Sequence, residues 1–319
     1  SNGGQIILGG GSSPLTGYAV GTADSTAGIT LYQATINAGA GTVTLNGKGY
    51  SAGGKGIYIY GNNSASISAN NSGVQSTSGN ISLNGYGIGS GNQGVHFHLP
   101  NTFLLSTSGN ISINSNGSIE MYYSNGASGT APRIVTAGLG SVSLDSTTSI
   151  SLNSSYIQSE NGAISINAAG NISQIWGGKF VTEGSGGISI SSSGGSVNLG
   201  GNSVGGVWAD GTGSITVNAQ AITVSNELRS SIRANLTATG QVKFTLNAGY
   251  QANLAGLNIV ADTFDTTGLL PNSITMKAGG SLSVDIASSS SIATAIGGAN
   301  ISLTKVGSGT LTLSGANTY

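Results

Sequence analysis

The 319-residue sequence has no cysteine, so disulfides and thiolate metal sites are excluded and stability must come from another source. Charge is almost as scarce. Asp, Glu, Lys and Arg make up 6% of the chain, nine basic against ten acidic residues, for a formal net charge of -1; ordinary globular proteins carry about 25%. That balance provides no electrostatic footprint for nucleic acid or an anionic membrane, and neither is expected as a partner. No run of about 18 apolar residues is present to span a bilayer, so membrane insertion of this chain is not expected. The opening Ser1-Asn2-Gly3-Gly4 has neither the basic nor the apolar region of a signal peptide, which predicts a mature, trimmed or excised chain.

What fills the space is Gly, with 55 copies, together with Ser, Asn and Thr. Such a composition without periodicity would suit a disordered coil. Here, however, Ile, Val, Leu and Thr recur in short alternating runs, which argues for buried, paired strands.

Self-similarity is the strongest signal. Ser76-Thr77-Ser78-Gly79-Asn80-Ile81-Ser82-Leu83-Asn84 returns as Ser106-Thr107-Ser108-Gly109-Asn110-Ile111-Ser112-Ile113-Asn114, and looser copies begin at Gly41, Gly140, Gly162, Gly187, Gly213 and Gly280. With the first apolar residue as marker, Ile81, Ile111, Val142, Ile164, Ile188, Ile215 and Val242 are separated by 30, 31, 22, 24, 27 and 27 residues. Strand-and-turn repeats of this size predict an all-β right-handed parallel β-helix (β-solenoid), because a single rung cannot bury its inward side chains until another stacks on it. Alternation places Ile81, Leu83, Ile111, Ile113, Ile164, Ile166, Ile215 and Val217 inside and the intervening hydroxyls outside. Asn84, Asn114, Asn167 and Asn218 are expected to stack as amide ladders between rungs. Neither end reads as a polar cap, which leads to the expectation that the natural protein continues in both directions or self-associates end to end.

The closing residues carry a more specific pattern. Lys305, Gly307, Gly309, Leu311, Leu313, Gly315, Asn317 and Tyr319 match, position by position, the pattern L-x-K-x-G-x-G-x-L-x-L-x-G-x-N-x-Y. This segment resembles the passenger-associated β-strand repeat of autotransporters, and the Gly-Asn-Ile-Ser-Leu phrases resemble the stalks of filamentous-haemagglutinin-like adhesins. The resemblance covers under a tenth of the chain. It implies a type V secreted adhesin of a Gram-negative bacterium, located extracellularly or at the cell outer surface. It also implies an outer-membrane translocator as partner during secretion, a glycan or a receptor on host or sister cells as ligand, and a biofilm or matrix role. In this reading residues 1–300 are β-helical passenger repeats with loop excursions near 85–105 and 115–135, and residues 301–319 begin a passenger-associated repeat on the same solenoid. The expected function is a non-catalytic adhesin or stalk fragment without cofactor, with a self-assembling filament or matrix protein as the alternative.

Parallel β-helices also include polysaccharide-cleaving enzymes, which need clustered carboxylates. Of the ten acids, only Asp262 and Asp265 are close in sequence, and residues three apart in a strand face opposite ways. An enzyme is therefore disfavoured, as is an ice-binding protein, because the outward positions are mostly Ser, which lacks the methyl group of Thr. His96 and His98 share one face if Phe97 lies in a strand, but no third metal ligand is apparent, and both are expected at the surface or in a loop. Tyr86, His96, His98, Tyr122 and Tyr123 form the candidate ligand face, because exposed Tyr in loop excursions suits stacking on sugars. The more charged stretch 222–285, with Glu227, Arg229, Arg233 and Lys243, reads as a solvated flank in which 226–236 is either a short helix or a strand. The Asn-x-Ser/Thr sequons at Asn80, Asn110, Asn171, Asn235 and Asn300 largely coincide with the structural repeat.

Overall fold

A computed structural model describes every residue except 2, 63–70, 90–91, 124–129, 201–204, 247–249, 270–272 and 318–319. The described residues form strands and turns without a helix, and they divide into two compact units, Ser1–Ala169 and Gly170–Tyr319.

Each unit is a parallel β-helix. A rung in the first unit runs through three short strands, for example Ser72–Ser76, Ile81–Tyr86 and Gln93–His98. Each strand pairs in parallel with its counterpart one rung on, Thr102–Ser106, Ile111–Ser115 and Ser118–Tyr122 respectively. These three columns of strands are the first, second and third faces of the helix. On the second face Val43, Ile81, Ile111, Val142 and Ile164 stand over one another pointing inward, and Leu45, Leu83, Ile113, Leu144 and Ile166 make a parallel column. All ten are buried, at roughly 1.5–3 kcal/mol of transfer free energy for each side chain. The eight core residues expected from the alternation are all buried.

Inward hydroxyls close the corners between the first and second faces. Ser76 Oγ donates to the carbonyls of Gly39 and Gly41 and accepts the Gly79 N–H at 2.8 Å, and Ser106 Oγ accepts the Gly109 N–H at 2.9 Å. The Ser-Thr-Ser-Gly phrase therefore encodes a turn whose buried polar groups satisfy one another. The asparagine after it couples rungs: Asn80 Oδ1 accepts the Asn110 N–H, and Asn110 Oδ1 accepts the Ser141 N–H, both at 2.9 Å.

The amide ladder is present in the first unit. Asn84 Nδ2 donates to Asn46 Oδ1 at 2.7 Å, Asn114 Nδ2 to Asn84 Oδ1 at 2.9 Å, and Asn167 Nδ2 to Asp145 Oδ1 at 2.8 Å. Asn218, expected to belong to such a ladder, instead stands between Ser191 and Thr237. A second correction concerns the repeat step. The residue over Ile215 is Ala234, 19 positions on, whereas Val242 lies over Ile222 on the third face. An alanine at a core position gives too weak an apolar signal to mark its own rung.

Of the excursions expected at 85–105 and 115–135, residues 90–91 and 124–129 lie outside the described residues, and the described part holds the strands Gln93–His98, Thr102–Ser106, Ser118–Tyr122 and Arg133–Thr136. In Gln93–His98 and Ser118–Tyr122 the outward positions include His96, His98 and Tyr122, which obscure the apolar alternation. Residues 226–236 form the strands Glu227–Ser230 and Ala234–Ala238 around a turn, not a helix.

Asn84→Ala removes two amide hydrogen bonds and strands the oxygen of Asn46, which is 2% exposed. It should destabilise the protein by about 1–2 kcal/mol, whereas Asn218→Ala should stay within about 0.5 kcal/mol of the parent. Urea midpoints of the two variants check this, and equal midpoints would remove the ladder from the account.

Candidate functional site

Outward positions of the third face bring most of the candidate residues together. Gln93–His98 pairs with Ile57–Tyr60 on one side and Ser118–Tyr122 on the other, in a register that aligns Tyr58 with His96 and Glu120, and Tyr60 with His98 and Tyr122. Tyr32 extends the second column as the partner of Tyr60. The column Tyr32, Tyr60, His98, Tyr122 has successive ring centroids 5.2, 5.2 and 5.4 Å apart, with the Tyr60–His98 and His98–Tyr122 planes inclined by only 29° and 10°. His98 therefore has both ring faces covered by neighbours, and stacking on a sugar is not open to it. Stacked aromatic pairs of this kind contribute about 0.5–1.5 kcal/mol each beyond their buried area.

His96 departs from the expected surface histidine, because it is only 7% exposed. It packs against Tyr58 and His98 at centroid distances of 5.3 and 5.2 Å, and neither ring nitrogen has a hydrogen-bond partner. Its Nε2 is 3.9 Å from Glu120 Oε2, too far for a hydrogen bond, and Glu120 instead accepts from Gln93 Nε2 at 2.6 Å. Burial lowers the His96 pKa to about 3, helped by Lys55 and His98, so the imidazole is neutral at physiological pH. The contact with Glu120 is accordingly not an ion pair. Burial and Lys55 also lower the pKa of His98. Burial, with Tyr60 as a smaller contribution, pushes the Tyr58 hydroxyl up to about 12. Among the described residues no group of three or more His, Cys, Asp or Glu is arranged to hold a metal.

The other two candidates lie apart from this stack. Tyr86 ends the strand Ile81–Tyr86, with the Lys48 ammonium 4.9 Å from its ring centroid and Tyr18 edge-on at 5.9 Å. Tyr123 follows the strand Ser118–Tyr122 and is half-buried. Asp262 and Asp265 are engaged separately. Asp262 accepts from Ser288 Oγ at 2.6 Å, and Asp265 pairs with Lys243 at 3.2 Å. Burial would raise the Asp265 pKa, but hydrogen bonds from Thr267 and Lys243 outweigh it and hold the carboxyl below its ordinary value.

The second unit contains a cluster that sequence reasoning missed. Trp208 lies within 4.9 Å of Lys179 Nζ and 4.6 Å of the Arg229 guanidinium, while Arg229 forks onto Asp210 at 2.6 and 2.5 Å. The hydrogen bond to Asp210 is the main reason the arginine pKa is raised. Only stacking of the register Val181–Trp208–Arg229 brings these residues together, and no local motif announces it.

No protein-family model, curated protein or solved structure matches the chain.

His96 provides a pH prediction. Its folded pKa lies below the unfolded value of 6.5, so the unfolded state binds more protons between about pH 6.5 and about pH 3, and acidification through that window lowers stability. His96→Phe should lose less stability than the parent between neutral pH and pH 5 in urea titrations. In the parent, the His96 ring resonances should show no titration down to about pH 4 by NMR. A midpoint near the ordinary histidine value would overturn the buried, neutral assignment.

Proposed function

We propose that the chain is a non-catalytic β-helical adhesin or stalk segment of a large type V secreted protein, working at the outer surface of a Gram-negative bacterium. The observation that carries this reading is the fit between the passenger-repeat pattern and a β-helix rung at residues 302–317. Ser302–Val306 and Leu311–Leu313 are strands on the second and third faces, and the patterned glycines form the corner between them. Gly307 has φ +78°, and a Cβ on Gly309 would stand 2.2 Å from the Ser288 carbonyl oxygen, so neither position tolerates another residue without strain. Lys305 Nζ donates to the Val306 and Gly307 carbonyls, and Asn317 Oδ1 accepts the Ile296 N–H at 3.0 Å. Each patterned residue among these therefore has a structural task in the rung, while Tyr319 lies outside the described residues. A surface of amide and hydroxyl ladders with few charges suits an extended stalk, and the absence of cysteine suits a chain that crosses the outer membrane unfolded.

The test is display. Bacteria carrying residues 1–319 on the outer membrane should adhere to host cells, sister cells or immobilised glycans above the level of an empty display system. Adherence equal to that control overturns the adhesive reading, and purified chain that grows into fibres with rising concentration, seen by electron microscopy, replaces it with the filament alternative.

A further inference from the structure

In the first unit the corners between the second and third faces differ in length. The chain takes residues 87–92 to pass from Ile81–Tyr86 to Gln93–His98, but only 116–117 and 147–149 at the next two rungs. A cleft of about 580 Å³ lies among residues of these corners, within the 300–1,000 Å³ range of small-ligand sites.

The cleft is lined by Tyr86, Asn92, Asn116, Ser118, Thr148 and Ser149 among others, with no charged side chain. Two features point to its ligand. Asn92 is 8% exposed, and its Oδ1 accepts the Gly53 N–H at 2.9 Å, which fixes the amide so that Nδ2 is the free end. That Nδ2 is buried without a partner, a donor whose desolvation a ligand oxygen would offset. Tyr86 is 38% exposed. Its register partner on the preceding rung is Lys48, whose ammonium lies 4.9 Å from the ring centroid, and Tyr18 meets the ring edge-on at 5.9 Å, while Tyr86 also lines the cleft. Unlike His98, this ring is not sandwiched between aromatic neighbours.

A partly exposed aromatic ring, a buried amide donor and flanking hydroxyls, in a lining without charged side chains, match a pyranose: apolar C–H groups on one face and hydroxyls around the edge. We infer that this corner cleft binds a neutral saccharide unit, either free or as the end of a glycan. The inference deepens the surface-binding reading and rests on it for its biological sense.

The test uses purified chain 1–319 and saturation-transfer NMR with glucose, galactose, mannose, N-acetylglucosamine, N-acetylgalactosamine and their β-linked disaccharides. Free monosaccharides and disaccharides are separate arms, so a preference for the longer ligands identifies a glycan as the source. At least one sugar should bind, and Tyr86→Ala and Asn92→Asp should each weaken it by about tenfold. Asn92→Asp keeps the acceptor for Gly53 and replaces the donor with a carboxylate oxygen that repels a ligand oxygen. Tyr32→Ala, at the far end of the aromatic column, should leave affinity unchanged, and circular dichroism of each variant establishes that it folds. Absence of binding across the panel, or binding that survives either cleft substitution, overturns the inference. Failure here with adhesion of displaying cells intact removes the cleft alone, whereas saccharide binding without adhesion removes the adhesive reading alone.

Discussion

Parallel pairing in register is the constraint from which the rest of this structure follows. It sets each side chain over its counterpart one rung away, about 4.8 Å distant, and so asks of every position whether the residue tolerates a neighbour of its own kind. Aliphatic side chains do, and form the inner columns. Amides do, because each has a donor end and an acceptor end, and Asn84 uses both, donating to Asn46 and accepting from Asn114. Like charges do not: two at that spacing repel by about 1 kcal/mol even in water, and the cost recurs at every rung. The 6% charge content is the compositional trace of this geometry.

The charges that remain are placed accordingly. Asp145 occupies one step of the amide ladder, where an amide from Asn167 meets it. Lys243 and Asp265 are register partners on adjacent rungs, 3.2 Å apart. Arg229 stands over Trp208 and reaches sideways to Asp210. These pairs are about one-third exposed, so each contributes little to stability. Their arrangement instead avoids the penalty that a repeated charge would incur.

The same constraint separates what could be read in the sequence from what could not. The second face of the first unit was legible because its rungs repeat nearly the same words, Gly-Asn-Ile-Ser-Leu-Asn and Gly-Asn-Ile-Ser-Ile-Asn, so identity in sequence signals adjacency in space. The aromatic stack of the third face was not. Tyr32, Tyr60, His98 and Tyr122 are 28, 38 and 24 residues apart, they are not identical, and they become neighbours only once register is known. Alternation showed that His96 and His98 share a face, but burial of His96 depends on Tyr58 and Glu120 from the flanking rungs. In the second unit Ala234 hides a rung, and the strands Ala252–Ala261 and Ile274–Ile286 run through a corner without a break, which erases the turn signal that marks it elsewhere.

Register also limits what a β-helix can offer a ligand. A regular face presents stacked edges: where rings are aligned, as at Tyr60, His98 and Tyr122, each covers the face of the next and spends its recognition surface on cohesion. A concave site requires a break in the stacking, and the break has to leave core registration intact. Corner length meets both conditions. The strands on either side of this corner keep Ile81 over Ile111 and Val95 over Ile119, so the core continues undisturbed, while Tyr86 and Asn92 line the cleft and the Asn92 Nδ2 has no partner. The unequal spacing of the repeats, which first looks like degradation of a periodic sequence, is thus the variable through which such a fold can acquire a site without disturbing the register of its core.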